Sequence, residues 1–196
     1  MQIERILYPV ETLGPGRRLA IWTVGCTKGC FGCISRELWT PRPDKDIPIS
    51  RLIAIIKKII AEKEVDGITI SGGDPLEQRG ELLKLLIEIH PICDDILVYT
   101  GYTLSEIKER WTKNDFNCLI SNITVLIDGR YIDALNDNMS PLIGSTNQTL
   151  HFFNEGKRDK YIRYCREEGR SIQNIINGDR LISIGIHNKA ATNTSN

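Results

Sequence analysis

The sequence of 196 residues has no excess of either charge, because 25 Lys and Arg residues balance 25 Asp and Glu residues. A chain without net charge has no bulk attraction to nucleic acid or to anionic lipid. It also lacks an apolar run close to the roughly 20 residues that span a bilayer. The N-terminal segment MQIERILYPVE contains acidic residues and has no signal-peptide pattern. We therefore expect a cytoplasmic protein with neither a nucleic-acid partner nor a membrane partner.

Cysteine is scarce, and half of it is concentrated in one loop. Of six cysteines, Cys26, Cys30 and Cys33 form a C-x3-C-x2-C pattern, and the other three are scattered. In a reducing cytosol such a pattern indicates metal ligands rather than a disulfide framework. Soft thiolate ligands select Zn, Cu(I) or iron–sulfur clusters. We expect the scattered cysteines to be buried free thiols.

The loop lacks a fourth ligand. A closed zinc site or a ferredoxin-type cluster uses four cysteines, or cysteines and histidine, and the nearest histidine is His90, outside the loop. A [4Fe–4S] cluster on three thiolates would leave one iron open to a substrate. The alternatives are a zinc site with a distant ligand, or unpaired thiols in an ordinary loop. Trp39 could pack over a cluster or anchor the core.

Strands and helices are predicted to alternate along the chain. Strands are predicted over residues 3–10, 19–24, 68–70, 95–100, 123–127 and 148–153. Between them, apolar residues recur with helical spacing from Leu52 to Ile60, after Ser50 as a plausible N-cap. Strands that are apolar on both faces, joined by helices, are typical of an α/β fold with a parallel sheet.

The composition changes after residue 153. A charged helix over residues 156–168 is predicted, followed by a hairpin over 171–186, because Asn177-Gly178 between apolar runs favours a two-residue turn. We thus expect one main unit over 1–153, an extension over 154–189 packed on it, and a disordered tail over 190–196.

Three predicted strands end in residues suited to ligand binding. The turn Ser71-Gly72-Gly73-Asp74 offers close backbone approach, carbonyls for an ammonium group and one carboxylate. Thr100 and Asp128 also end strands, at the edge where parallel α/β folds build their sites. The alternative is that all three segments are ordinary turns.

These motifs resemble those of the radical S-adenosylmethionine (SAM) enzymes, whose signature is C-x3-C-x2-C. The lead-in GPGRR and IWTVGC, residues 14–18 and 21–26, is similar to that of glycyl-radical-enzyme activases. SGGDPL at 71–76, TGY at 100–102, VLIDGR at 125–130 and GSTNQ at 144–148 are similar to segments of the small activases of anaerobic ribonucleotide reductase. The resemblance covers about residues 13–148, in family order.

The resemblance implies an incomplete, splayed (β/α)6-type radical SAM barrel with an open side. Cys26, Cys30 and Cys33 would hold a [4Fe–4S] cluster, and SAM would chelate its remaining iron. Reductive cleavage of SAM would give a 5′-deoxyadenosyl radical that takes a hydrogen atom from a glycine of a partner glycyl radical enzyme. A flavodoxin or ferredoxin-type protein would donate the electron.

The resemblance also implies roles for the residues at the strand ends. The segment Ser71, Gly72, Gly73 and Asp74 would hold the SAM amino group, and Thr100 or Asp128 would bind its ribose or methionine part. Asp74 replaces the glutamate that most of the superfamily has at this position.

Two departures leave the partner open. Many radical SAM proteins have an aromatic residue before the third cysteine, whereas this chain has Gly32 there and Phe31 one residue earlier. The chain also continues past about Asn154, where the small activases end. Besides a glycyl-radical activase, a second hypothesis is therefore a radical SAM enzyme that acts on a small molecule, peptide or nucleoside. A third hypothesis is a metal-binding or electron-transfer module without SAM chemistry.

Overall fold

The computed structural model describes residues 1–178 and 180–189 of the chain. A sheet of six strands in the order β1-β2-β3-β4-β5-β6 forms its centre. The strands are β1 Ile3–Val10, β2 Arg18–Thr23, β3 Gly67–Gly72, β4 Ile96–Tyr99, β5 Val125–Asp128 and β6 Thr149–Phe152. The predicted tail over 190–196 lies outside the described residues.

Five helices accompany the sheet. They are α1 Ile49–Glu62, α2 Arg79–Ile89, α3 Leu104–Arg110, α4 Lys113–Ser121 and α5 Glu155–Glu167. The residue before α1 is Pro48, and Ser50 lies inside the helix, so the predicted N-cap at Ser50 is wrong. Among the described residues, no helix is long and apolar enough to cross a membrane.

The sheet is parallel at its centre and antiparallel at both edges. Strands β2 to β5 pair in parallel, whereas β1 pairs antiparallel with β2 and β6 pairs antiparallel with β5. The prediction of a parallel sheet is therefore confirmed only for the four central strands. Seven residues join β1 to β2, too few for the crossover of a dozen or more residues that a parallel pair needs.

The two faces of the sheet carry separate apolar clusters. Alternate residues of the central strands, such as Ile21, Ile70 and Val98, pack with α1 and α2 on one face. We call this face the helix face. On the opposite face, Trp22 packs with Ile184 of the C-terminal segment, and Leu97 packs with Tyr161 of α5. The residues after 153 therefore cover the face that the crossover helices leave open.

The predicted hairpin is present at the C-terminus. Strand β7 (Gln173–Asn177) pairs antiparallel with β8 (Arg180–Ile184). Gly178 in the connection has φ 65°, a conformation that glycine adopts without a steric penalty. The hairpin is therefore confirmed, but Asn177 is the last residue of β7 and pairs with Arg180, so the prediction of a turn made of Asn177 and Gly178 is wrong.

A buried ion pair ties the C-terminal helix to the sheet. The guanidinium of Arg18 lies 3.2 Å from Asp95 Oδ1, and both side chains are almost fully buried. From α5, the Lys160 ammonium lies 2.7 Å from Asp95 Oδ2 and the Tyr161 hydroxyl donates to Asp95 Oδ1. Asp95 thus has partners on both the sheet and α5.

Candidate active site

The cysteine loop follows β2 and is fixed by backbone hydrogen bonds at its start. The N–H of Gly25 donates to the Leu38 carbonyl at 2.8 Å, and the N–H of Cys26 donates to the Trp39 carbonyl at 2.9 Å. These bonds hold the loop over the carboxyl ends of the parallel strands, the edge at which the sequence predicts a site.

The three thiols line one cavity of about 140 Å³, which we call the cluster cavity. Its other lining residues are Lys28, Trp39, Gly73, Tyr99, Thr100, Gly101, Gly129, Tyr131 and Gln148. Burial raises the pKa of the Cys26 and Cys30 thiols.

The chemistry of the lining fits an iron–sulfur cluster with one open corner. Among the described residues that line the cavity, the cysteines are the only ones of the Cys, His, Asp and Glu types. Within the described part of the chain, no three side chains of these types meet closely enough to hold a single ion. In a [4Fe–4S] cluster each thiolate would bind a separate iron, so the three cysteines would not need to meet at one point to hold it.

The absence of an aromatic residue before the third cysteine has a steric reason. Gly32 has φ +76°, and a Cβ there would lie 3.0 Å from Asp133 Oδ1 and 3.1 Å from Tyr131 Cε1. A side chain at this position would press against the segment that closes the cavity. Glycine is therefore the residue that lets the loop pack against Tyr131.

The glycine turn after β3 is bonded directly to the cysteine loop. The N–H of Gly73 donates to the Thr23 carbonyl at 2.9 Å, and the N–H of Asp74 donates to the Gly25 carbonyl at 2.8 Å. A Cβ on Gly73 would clash with the Gly25 carbonyl oxygen and lie 2.8 Å from the Leu38 carbonyl oxygen. The two backbones approach closely because Gly73 has no side chain.

The carboxylate of Asp74 contacts two residues that line the cluster cavity, Thr100 and Gly101, but Asp74 is not itself a lining residue. It is buried, and it accepts hydrogen bonds from Thr100 Oγ1 at 2.9 Å, from the Gly101 N–H at 3.0 Å and from the Leu76 N–H at 3.1 Å. Burial raises the pKa of Asp74, and Lys28 and the three donors oppose this rise. The carboxylate thus links the glycine turn to the end of β4.

Lys28 is part of the site, and sequence reasoning missed it. Its ammonium lies 2.9 Å from Glu77 Oε1 and 3.6 Å from Asp74 Oδ2, and 3.2 Å from the centre of the Tyr102 ring. A lysine between two cysteines was the available signal, but its acidic partners come from the next βα connection. Lys28 fastens the middle of the cysteine loop to the glycine turn.

The remaining predicted residues divide between the cavity and its surroundings. Thr100 lines the cluster cavity, as Gly73 does. Ser71 lines a neighbouring cavity of about 160 Å³. Gly72, with φ +116°, packs against the backbone of Thr23.

Asp128 contacts the start of α3 and His151 of β6 and does not line the cluster cavity. Its carboxylate accepts from the Leu104 N–H at 2.6 Å, at the start of α3, and lies 2.9 Å from His151 Nε2. The next residue, Gly129, lines the cluster cavity, whereas Asp128 is not among the lining residues.

Replacement of Gly73 tests the contact between the two loops. We expect Gly73→Ala to destabilise the protein by about 1–3 kcal/mol, because the added methyl group overpacks two backbone carbonyls, and to lower the iron content after reconstitution. Gly80→Ala is the control, because a Cβ there meets nothing within 4 Å and alanine is the better helix former. Urea unfolding and iron analysis measure both effects. Equal stability and iron content in the two variants would show that the contact is unimportant.

Known proteins are similar to this chain in sequence. Residues 12–151 match the family described as 4Fe-4S single cluster domain. The anaerobic ribonucleoside-triphosphate reductase-activating protein of Salmonella typhi is 34% identical over 154 residues, which cover 74% of this chain and 94% of the relative. The protein of the same name from Escherichia coli (strain K12) is 32% identical over 150 residues, with the same coverage.

The phage relative extends this similarity outside bacteria. The protein of the same name from Enterobacteria phage T4 is 29% identical over 155 residues, covering 76% of this chain and 93% of the relative. The three thiols around one cavity and the family match over most of the chain agree. The chain belongs to the 4Fe–4S single cluster domain family, among the radical SAM activases of glycyl radical enzymes.

Proposed function

We propose that this chain uses a [4Fe–4S] cluster on Cys26, Cys30 and Cys33, together with SAM, to generate a glycyl radical on an anaerobic ribonucleoside-triphosphate reductase. The observation that carries this proposal is the cluster cavity, whose described lining combines three thiols with a glycine turn and a strand-end threonine. The reductase as partner is supported by the names of the relatives.

The chain's own residues would bind and orient the reactants. When bound, the cluster and SAM supply reductive cleavage of the sulfonium and removal of a hydrogen atom from glycine. Gly73 and Thr100 are the predicted SAM-binding residues that line the cavity, and we propose that they contact SAM. Asp74 would position them through its hydrogen bonds to Thr100 and Gly101. Trp39 and Tyr131 would help to exclude water.

Three predicted residues take supporting roles in this proposal. Gly72 would bring the turn close to β2, which its packing against Thr23 supports. Asp128 would hold α3 and His151 beside the cavity. Ser71 would face the neighbouring cavity instead of the SAM amino group.

We also propose that residues 1–153 form a partial radical SAM barrel and that 154–189 form an extension packed on it. The four parallel strands with helices on one face support the barrel. The contacts of Tyr161 and Ile184 with the opposite face support the extension. The proposal of a reducing, cytoplasmic location rests on the cysteine pattern, in which three cysteines are grouped as metal ligands and three are scattered.

A flavodoxin or ferredoxin-type donor would approach at the cysteine loop. Phe31 is 78% exposed and Ile34 is 68% exposed, so the loop presents an accessible apolar surface beside the cluster ligands. The donor would dock there and reduce the cluster across a short distance.

Electron paramagnetic resonance (EPR) tests the proposed function. We expect the chain, purified and reconstituted without oxygen, to show the low-temperature signal of a reduced [4Fe–4S] cluster that changes on adding SAM. Mixing with the reductase and SAM should then produce a glycyl-radical doublet on the reductase. Deoxyadenosine formed only with a small molecule, peptide or nucleoside would instead support a radical SAM enzyme that acts on such a substrate. A cluster whose signal does not change with SAM would support a metal-binding or electron-transfer module.

A further inference from the structure

The described residues 170–178 and 180–189, which we call the strap, run from β1 to the loop between β5 and β6. On the β1 side, Gln173 Nε2 donates to the Pro9 carbonyl at 2.8 Å and Thr12 Oγ1 donates to the Ile184 carbonyl at 3.0 Å. On the other side, Lys189 Nζ lies 2.7 Å from Asp133 Oδ2, in the loop between β5 and β6. The strap therefore reaches from β1, at one edge of the sheet, to the loop that follows β5.

Arg170 anchors the start of the strap. Its guanidinium donates to the Ser140 carbonyl at 2.9 Å and to the Ile143 carbonyl at 2.9 Å, and it reaches back to the His187 carbonyl at 3.1 Å. These bonds close the strap over the face opposite the helix face.

A cavity of about 160 Å³ lies beneath the strap. Residues 182–187 form its outer wall, and Trp22, Ser71 and Tyr99 of the sheet form its floor. Ile34 and Ser35, which follow the third cysteine, close one end. Tyr99 also lines the cluster cavity, so the space beneath the strap adjoins the space around the thiols.

One apolar side chain holds most of the strap's buried apolar surface. Among its described residues Ile184, at 3% exposure, is the one fully buried apolar side chain. Ile175, Ile182 and Ile186 are partly buried against the same cluster, whereas Ile176 is 79% exposed and Leu181 is 67% exposed. A two-stranded hairpin has little stability of its own, and segments with few buried contacts open most readily. The strap also lies outside the family match, which ends at residue 151.

The strap shows what kind of chain this face accepts. Ile184 fills an apolar socket formed by Leu13, Trp22 and Leu38. Gly185 follows with φ +141°, and a Cβ on it would clash with the Ser171 carbonyl oxygen. This contact lies within the strap, so the need for glycine at position 185 comes from the strap and not from the face. The face itself accepts an extended segment whose apolar side chain enters the socket.

We propose that the face beneath the strap is the docking surface for the extended, glycine-bearing segment of the partner, and that residues 182–187 occupy it until the partner displaces them. This inference rests on the proposed function, because a protein glycine must reach the cluster cavity as part of a chain segment. The strap covers the path that leads along the sheet, past Tyr99, to the cluster cavity. It therefore acts as an intramolecular competitor that lowers the apparent affinity for the partner.

One pair of variants on the same hairpin tests this. Ile184→Asp places a carboxylate in the apolar socket and loosens the strap, whereas Ile176→Asp makes the same change at an exposed position. We expect Ile184→Asp to bind the reductase about tenfold more tightly, as removal of a competing closed state predicts, and Ile176→Asp to bind like the unaltered chain. Equal or weaker binding by a folded Ile184→Asp variant would overturn the proposal.

Hydrogen–deuterium exchange on the unaltered, reconstituted chain gives a second readout that does not depend on the variant folding. If the reductase displaces the strap, amides over 181–187 should exchange faster in the complex. Slower exchange there would mean that the partner packs onto a closed strap, and unchanged exchange would mean that it docks elsewhere; either result contradicts the proposal. SAM cleavage under dithionite without the reductase separates the two claims, since its loss refutes the proposed function, whereas normal cleavage with an undisplaced strap refutes this inference alone.

Discussion

Cys30→Ala is expected to abolish SAM cleavage, reducing deoxyadenosine formation under dithionite to that of a control without protein. Cys30 lies between the other two thiols in the loop and lines the cluster cavity with them. Without its thiolate, one further iron would have no protein ligand, and the described lining offers no other Cys, His, Asp or Glu side chain. Iron and sulfide per chain and the EPR change on adding SAM measure the loss.

Cys118→Ala is the matched control for this variant. Cys118 lies on α4 and is not among the residues that line the cluster cavity. Its replacement should leave the iron content and the response to SAM unchanged. A Cys30→Ala protein that kept a full cluster and still cleaved SAM would contradict the ligand assignment, whichever partner the chain activates.

Asp95→Ala is expected to cost the largest amount of stability, about 3–5 kcal/mol of unfolding free energy. The change leaves the Arg18 guanidinium buried, with 0% of its side chain exposed, and without its carboxylate partner. It also removes the acceptor for Tyr161 and the partner of Lys160, which hold α5 on the sheet. Urea unfolding followed by circular dichroism gives the change.

The neighbouring aspartate provides the control. Asp94 is 58% exposed and pairs with Lys157 at 2.9 Å. Asp94→Ala should therefore cost no more than about 1 kcal/mol, as exposed ion pairs do. Similar losses of unfolding free energy in Asp95→Ala and Asp94→Ala would show that the buried Arg18–Asp95 pair contributes no more to stability than the exposed pair.

The same pair predicts a pH dependence. Burial alone would raise the pKa of Asp95, but the Arg18 charge and the hydrogen bonds from Lys160 and Tyr161 hold it below its ordinary value. Because the pKa of Asp95 is lower in the folded state than in the unfolded chain, the ionised carboxylate stabilises the protein at pH values above the unfolded-state pKa. This stabilisation is lost as the pH falls through the folded-state pKa. The difference in stability between the unaltered chain and Asp95→Ala should therefore narrow below about pH 4. A constant difference down to pH 2 would contradict the lowered pKa.

Local patterns predicted much of the fold. The alternating strands and helices and the C-terminal hairpin are present. These features arise from side chains close in sequence, so they can be recognised without tertiary contacts. The antiparallel direction of β1 could have been predicted, because seven residues are too few for a parallel crossover to β2. The direction of β6 was missed because it follows a longer connection, whose path depends on packing that apolar periodicity does not encode.

The sequence by itself predicted the candidate ligands Cys26, Cys30 and Cys33, because their spacing and the lack of a fourth ligand in the loop are local features of the chain. The resemblance to radical SAM enzymes, rather than the spacing alone, implied a [4Fe–4S] cluster with an open iron. Only the tertiary structure decided which predicted residues line the cavity. It places Gly73 and Thr100 in the lining and Asp74 next to them, hydrogen-bonded to Thr100. Ser71 lines the neighbouring cavity, and Asp128 accepts a hydrogen bond at the start of α3. It also places the strap across the open face. The physical reason is that side-chain direction and long-range contacts depend on strand register and packing, which bring together residues far apart along the chain.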